Sequence, residues 1–232
     1  MTIDLNVRVE DQNDLESFVT MAKALGFKGI VTPLKLAKPF SRLEDDFLIG
    51  TRTELKGSTL GSLKKGIGTA RQRSALVAVQ LGKTQVSNWA AEDTRVDVLA
   101  VTDISKDNSL KVSTAKLAAQ SGTALEIPVV PLLETSGLDR SKIIKRYREC
   151  VQTAVTAGMQ VVLTSGASKP IQMRSAASVQ YIGQILGMEL AYMRKTVDVT
   201  RSMLDRNERN LSTDFVAPGV HIVQSGEPSE KD

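Results

Sequence analysis

The stretch QVVLTSGASKPIQMRS, residues 160–175, is where the chain best combines small, hydroxylated and basic residues into a possible site. Val161, Val162 and Leu163 read as a buried strand. The chain then passes through Thr164, Ser165, Gly166, Ala167 and Ser168 to Lys169, Pro170 and Arg174. Small residues after a strand let backbone N–H groups approach an anion, and a helix N-terminus adds a favourable dipole. Lys169 and Arg174 would supply the charge. A phosphate-holding loop, a docking surface for nucleic acid and a plain strand-to-helix turn all fit this pattern.

Other reactive groups are scarce. His221 is the one histidine, and it falls in the C-terminal tail. A metal hydrolase built on a barrel usually needs several histidines and carboxylates converging on its ions. A site of carboxylates alone holding Mg²⁺, drawn from Asp4, Asp97 or Asp103, stays open. Asp97 and Asp103 flank an ordinary strand, however, and serve equally as caps or exposed charges. Ser165 has no histidine to activate it and no G-x-S-x-G frame around it. Lys169 would form a Schiff base only if buried, and a lysine before Pro170 in a polar loop is expected to be solvated. Cys150, the single cysteine, lies in an apolar helical pattern and is expected to be a packed thiol. It excludes internal disulfides and a multi-cysteine zinc site. Basic residues recur along helical segments: Lys64, Lys65, Arg71 and Arg73; Lys142, Lys145, Arg146 and Arg148; Arg194, Lys195, Arg201, Arg206 and Arg209. Each cluster taken singly is a solvated face partnered by acids. Together they could follow an RNA backbone through phosphate contacts. No aromatic pair of the RNA-reading kind is present, so base-specific readout has no support.

The elements that must position these groups alternate. Ile3, Leu5, Val7 and Val9 show the period of two of a strand. Leu15, Phe18, Val19, Ala22 and Leu25 share one helical face that Gly26 can stop. GIVTP is a short strand, residues 34–46 are polar and irregular, and FLIGTRTEL is a strand. TLGSLKKGIGTARQR is a helix weakened by Gly61, Gly66 and Gly68. ALVAVQLG is a strand, VSNWAAED a short helical turn, RVDVLAVTD a strand, and STAKLAAQSG a helix stopped by Gly122. ALEIPVVPLL reads as one strand with irregular ends. LDRSKIIKRYRECVQTAVTAG is a helix with a stripe of Ile143, Ile144, Tyr147, Val151, Ala154 and Val155, capped by Ser136 or Asp139. After the strand QVVLTSG come AASVQYIGQILG, ELAYMRK and VTRSMLDRNERNL, all helical, then a short strand around Val220 to Val223. Alternating elements with strands apolar on both faces argue for parallel strands and helical crossovers. Seven or eight such units point to an α/β barrel of the TIM kind with extra C-terminal helices; a doubly wound open sheet is the alternative. Residues 1–224 are expected to form a single domain and residues 225–232 a disordered tail.

Composition sets the outer limits. The chain has 232 residues, enough for one substantial core, and 41% are hydrophobic. Aromatics are only 4%, so Val, Leu, Ile and Ala must build that core. A net charge of +4 and a pI near 9.2 hint at a polyanionic partner. The opening MTIDLNVRVEDQ has no basic-then-apolar leader, and no apolar run reaches the ~20 residues of a membrane span. A soluble, cytoplasmic protein is expected.

Several segments together resemble the ribonuclease P protein component 3 family, the archaeal counterpart of a eukaryotic ribonuclease P and MRP subunit. They are the opening DLNV, the run NWAAEDTRVDVLAV, ALEIPVVPLL followed by a basic helix, VVLTSGASKPIQMRS with its Ser-Gly-Ala turn and Arg-Ser pair, and the helical end QILGMELAYMRKTVDVTRSMLDRNERNL. The resemblance runs nearly end to end. It implies a TIM-barrel-like fold related to metal-dependent polymerase and histidinol phosphatase domains. Those relatives begin a histidine cluster in the first strand; here that strand reads Asp4-Leu5-Asn6-Val7-Arg8. The histidine that many component 3 sequences carry after the Asn is also absent. No retained metal site is therefore implied, and no cofactor in this chain. The implied role is a non-catalytic subunit of the ribonucleoprotein that removes the 5′ leader from precursor tRNA. The ribonuclease P RNA would hold the catalytic Mg²⁺. Component 2, other ribonuclease P proteins and, indirectly, precursor tRNA would be partners. The residues implied to bind RNA or partner are Ser165, Gly166, Ala167, Lys169 and Arg174, with Lys142, Lys145 and Arg146 of the basic helix and Asn88 and Arg95 of the NWAAEDTRVDVLAV run.

Overall fold

The computed structural model describes residues 2–57, 59–102, 109–212, 215–217 and 220–221. Seven parallel strands form a ring: β1 (Ile3–Asp4), β2 (Gly29–Thr32), β4 (Leu48–Leu55), β5 (Leu76–Gln80), β6 (Val98–Ala100), β7 (Ala124–Pro128) and β8 (Val161–Thr164). β3 (Phe40–Arg42) pairs antiparallel with β4, Phe40 opposite Gly50. The ring closes where β1 meets β8. There Val7 bridges Ala167 in parallel register, and the Arg8 N–H donates to the Ala167 carbonyl at 2.7 Å. The structure is thus a nearly closed barrel, and the open-sheet alternative falls.

Helices cover the outside: α1 (Leu15–Ala24), α2 (Leu60–Arg71), α3 (Thr84–Glu92), α4 (Val112–Ser121), α5 (Val130–Glu134) and α6 (Gly137–Thr156). Their buried faces follow the helical period. Leu63, Ile67 and Ala70 of α2 and Ile143, Tyr147, Cys150, Val151 and Ala154 of α6 pack on outward strand residues such as Val77, Leu99 and Leu125. Thr59 caps α2 by accepting from the Ser62 N–H, and the helix forms despite its three glycines. Gly122 ends α4 with φ +83°, a conformation open to glycine at little cost. α7 (Ala176–Ile185) and α8 (Leu190–Asn210) follow β8, and β9 (Phe215–Ala217) pairs antiparallel with β10 (Val220–His221). Among the described residues no helix is long and apolar enough to cross a membrane.

The barrel interior has two layers. The lower one, at the amino ends of the strands, is apolar: Ile3, Leu5, Val31, Leu48, Leu76, Ala78, Val98, Ala124 and Val162. Met203 and Leu204 of α8 belong to the same cluster, so this helix lies across the barrel floor. Burying each of these two side chains is worth roughly 1.5–3 kcal/mol. The upper layer is polar.

Five local expectations need correction. Residues 34–46 are not all irregular, because β3 returns against β4 in place of a helical crossover. ALEIPVVPLL is not one strand. Pro128 ends β7, and Pro131 sits in the first turn of α5, where its fixed φ suits a helix and its missing N–H costs nothing. VSNWAAED belongs to a nine-residue helix. ELAYMRK and VTRSMLDRNERNL join into the single 21-residue α8. Val155 leaves the stripe of α6 and is exposed, while Cys150 lies inside it. The tail expected over residues 225–232, and Val223, lie outside the described residues.

Candidate functional site

In a barrel of parallel strands, function gathers at the carboxyl ends. Here that end is filled by a charge network. Arg52 and Glu54 alternate on β4 and point inward, because side chains two apart on a strand share a face. Arg52 donates to Glu126 of β7 at 2.7 Å, to Glu54 at 3.1 Å and to the Leu5 carbonyl at 3.1 Å. The other Glu126 oxygen accepts from Asn6 Nδ2 at 2.7 Å and from the Thr164 hydroxyl at 2.8 Å. Gln80 of β5 donates to the second oxygen of Glu54 at 2.7 Å. The Arg52 and Glu126 side chains are 1% and 0% exposed, which puts the pair beyond the reach of a substrate. Burial opposes the charge on Arg52, but the carboxylates of Glu126 and Glu54 outweigh it and hold its pKa above the usual value. Burial likewise opposes the Glu54 carboxylate, and Arg52 and Gln80 bring its pKa below the usual value. A carboxylate with every oxygen committed to donors is neither a general base nor a ready metal ligand.

The seam between β1 and β8 uses a second carboxylate. Asp4 is buried and accepts from the Ser165 N–H at 3.1 Å and from the Asn6 N–H at 3.2 Å. Burial pushes its pKa up to about 6, partly offset by these hydrogen bonds. A cavity of about 50 Å³ lies beside it, under α7 and α8.

This arrangement leaves the loop Ser165–Ser168 without free N–H groups for an anion. The five N–H groups of the loop are all used inside the protein. Ser165 donates to Asp4, Gly166 to the Asn6 carbonyl, Ala167 to the Ser165 hydroxyl oxygen, and both Ser168 and Lys169 to Gln172 Oε1. Ser165, Gly166 and Ala167 are buried. Gly166 has φ +66°, and a Cβ there would lie 2.8 Å from that of Pro128, so the small residue serves close packing at the seam. Lys169 is exposed at the loop edge. Arg174 spends one guanidinium nitrogen on the Ile171 and Met173 carbonyls at 2.8 Å each.

The remaining expected residues do not converge on that loop. Lys142 pairs with Asp139 at 3.1 Å and Arg146 with Glu149 at 2.8 Å along α6, while Lys145 is exposed. Asn88 accepts from the Thr114 hydroxyl at 2.5 Å and so ties α3 to α4. Arg95 lies at the opposite end of the barrel, before β6, where its hydrogen bond to Asp93 raises its pKa. Of the carboxylates weighed for a metal, Asp97 is at the floor, bonded to Arg71, Arg206, Asn207 and the Val77 N–H. Asp4 is at the seam, and Asp103 lies outside the described residues. Among the described residues no three His, Cys, Asp or Glu side chains form a metal-holding group. Sequence reasoning missed Arg52, Glu126 and Asn6. The available signal was a charge inside each of two apolar strands, which is rare unless the charges are paired.

Comparison with known proteins supplies what the geometry leaves open. The family described as RNase P subunit p30 matches residues 1–211. The chain is similar to ribonuclease P protein component 3 of Methanosarcina barkeri, 24% identical over 95% of this chain and 94% of that protein. It is similar to the component 3 of Methanothermobacter thermautotrophicus, 23% identical over the same shares. In structure it resembles a chain of an archaeal ribonuclease P determined by cryo-EM with mature tRNA. That likeness has a TM-score of 0.78 at 18% identity and covers 97% of this chain and 99% of the other.

Proposed function

The chain belongs to the RNase P subunit p30 family, and from that premise we propose that it serves as a non-catalytic protein subunit of ribonuclease P, the ribonucleoprotein that removes the 5′ leader from precursor tRNA. The observation that carries this reading is the Arg52–Glu126 pair, which occupies the barrel mouth where an enzyme of this architecture would hold its substrate. The chemistry then rests with the RNA and its Mg²⁺. The protein contributes adhesion, shape and charge neutralisation. Component 2 is the proposed protein partner. Support for such a contact comes from α7, where Tyr181 is 68% and Ile185 51% exposed, an apolar face unusual for a helix without a partner. Lys169, Arg174, Lys142, Lys145 and Arg146 remain candidates for RNA or partner contact as exposed or half-exposed cations, as do Asn88 and Arg95 at their separate places on the surface.

Reconstitution tests the proposal. Precursor tRNA is incubated with ribonuclease P RNA, with and without this chain and component 2, across a Mg²⁺ series. The chain alone is expected to release no leader. With component 2 it is expected to let the RNA cleave at lower Mg²⁺, because protein cations replace part of the counterion atmosphere. Leader cleavage by the isolated chain, or no effect of the chain on the RNA reaction, would refute the role.

A further inference from the structure

The barrel has no helix between β2 and β4; β3 fills that crossover. The ring of helices is therefore open beside α2, and a groove of about 500 Å³ runs between α2 and the outer side of β4. Its α2 wall is Ser62, Lys65, Gly66, Thr69 and, just past the helix, Arg73. These positions fall at i, i+3, i+4, i+7 and i+11, one face of the helix. The facing wall is Thr53 and Leu55.

This region carries its cations with no acid among them. Between residues 55 and 91 there are six lysines and arginines and no aspartate or glutamate. On α6 and α8 the cations sit among acids, and some of them pair: Lys142–Asp139, Arg146–Glu149, Arg201–Asp205. On α2 the cations are separated by role. Arg71 turns to the floor and bonds Asp97, and Lys64 lies over the Trp89 ring at 5.2 Å from its centroid. Lys65 and Arg73 are exposed in the groove and form no ion pair among the described residues.

We propose that this α2 groove is a docking surface for the sugar-phosphate backbone of RNA, with Lys65 and Arg73 on phosphates. The proposal rests on the ribonuclease P reading and names the surface through which that role is exercised. Two observations favour RNA over a protein segment. Lys65 and Arg73, neither in an ion pair among the described residues, stand eight positions apart on one wall, and cations are the side chains that meet phosphate oxygens. The groove is open to solvent, not an enclosed socket of the kind that anchors a protein hot spot.

The test uses the full chain with component 2 and transcribed ribonuclease P RNA. RNA affinity is measured from low to physiological salt for the native chain, for Lys65→Ala/Arg73→Ala, and, as a paired-cation control, for Lys23→Ala, whose ammonium meets Asp45 at 2.9 Å. Urea melts check that the variants fold. The double variant is expected to weaken binding and to flatten the log–log salt slope by about two, one for each lost phosphate contact. The control is expected to change it by less. If the native chain binds and the double variant keeps its affinity and slope, the groove is not the RNA surface and the ribonuclease P role stands. Loss of component 2 with RNA affinity kept would make the groove a protein interface and equally overturn the proposal. If the native assembly fails to bind the RNA at all, the underlying role fails and the groove with it.

Discussion

The two ends of the barrel both carry buried charge, and they use it differently. At the mouth, Arg52, Glu54, Gln80, Glu126 and Thr164 come from strands, and Arg52 is shielded from water almost completely. At the floor, Asp97 is held by groups from a strand, a helix end and α8: the Val77 N–H, Arg71, and Arg206 with Asn207. Arg206 remains 40% exposed. The mouth network fills space that an enzyme leaves for substrate. The floor network fastens a terminal helix across the barrel, beside the apolar plug of Met203 and Leu204. The same ion-pair chemistry thus closes a site at one end and joins elements at the other. The difference lies in whether the donors come from the barrel itself or from a helix laid across it.

That contrast can be broken by substitution. The largest effect is expected at the mouth. Glu126→Ala leaves the buried Arg52 guanidinium without its main counter-charge and also deprives Asn6 and Thr164 of their acceptor, so unfolding in urea should show a loss of about 3–5 kcal/mol. Replacing both partners with apolar residues, Arg52→Met with Glu126→Leu, should restore much of it; a double variant no more stable than Glu126→Ala would mean that the pair is not the source of the loss. At the floor, Asp97→Ala should cost about 2–3 kcal/mol, less than the mouth because water can reach Arg206. Its distinguishing sign is early release of α8, read as loss of hydrogen-exchange protection around Met203 and Leu204 before the strands open. Uniform loss of protection over the whole chain would show that the clamp is not specific to that helix.

The last prediction concerns the seam and is read as a difference between two proteins. Asp4 has an ordinary pKa of 3.8 and a folded value of about 6. The folded state therefore holds the proton more tightly than the unfolded one. The stabilisation this gives is complete below 3.8 and is lost as pH rises through about 6, a change of up to about 3 kcal/mol between those limits. Other carboxylates of the chain titrate in the same range, so the measured quantity is the difference between native protein and Asp4→Asn. The amide oxygen still accepts from the Ser165 N–H, and the variant should gain on the native protein as pH rises from 4 to 7. A difference that stays constant over that range would contradict the assignment.

Much of the architecture was legible in the sequence. Alternation at Ile3 and Leu5 marks an inward face, and the helical spacing at Leu63, Ile67 and Ala70 marks the buried side of α2. The strand β3 was not legible, because Phe40, Ser41 and Arg42 are too few to show a period and owe their extended form to pairing with β4. The loop at Ser165 was legible as a tight turn, but not the direction of its N–H groups. Those depend on Asp4 and Asn6, which approach from the far end of the chain. The basic clusters were equally visible at α2 and α6, but only the structure tells the paired cations, Lys142 and Arg146, from those without an ion pair among the described residues.

The alternation of most strands and helices, their buried faces and the excess of positive charge follow from periodicity and composition along short windows of the chain. Tertiary structure alone decided which charges meet. Arg52 and Glu126 stand 74 positions apart, and Asn6 and Glu126 stand 120 apart. The period of two places Arg52 and Glu126 inside the barrel, while Asn6 reaches them from beyond the end of β1, and their distances depend on strand register and on closure of the ring. That closure turns an isolated charge in each of two strands into a sealed pair, and so turns the mouth of a barrel into part of its core.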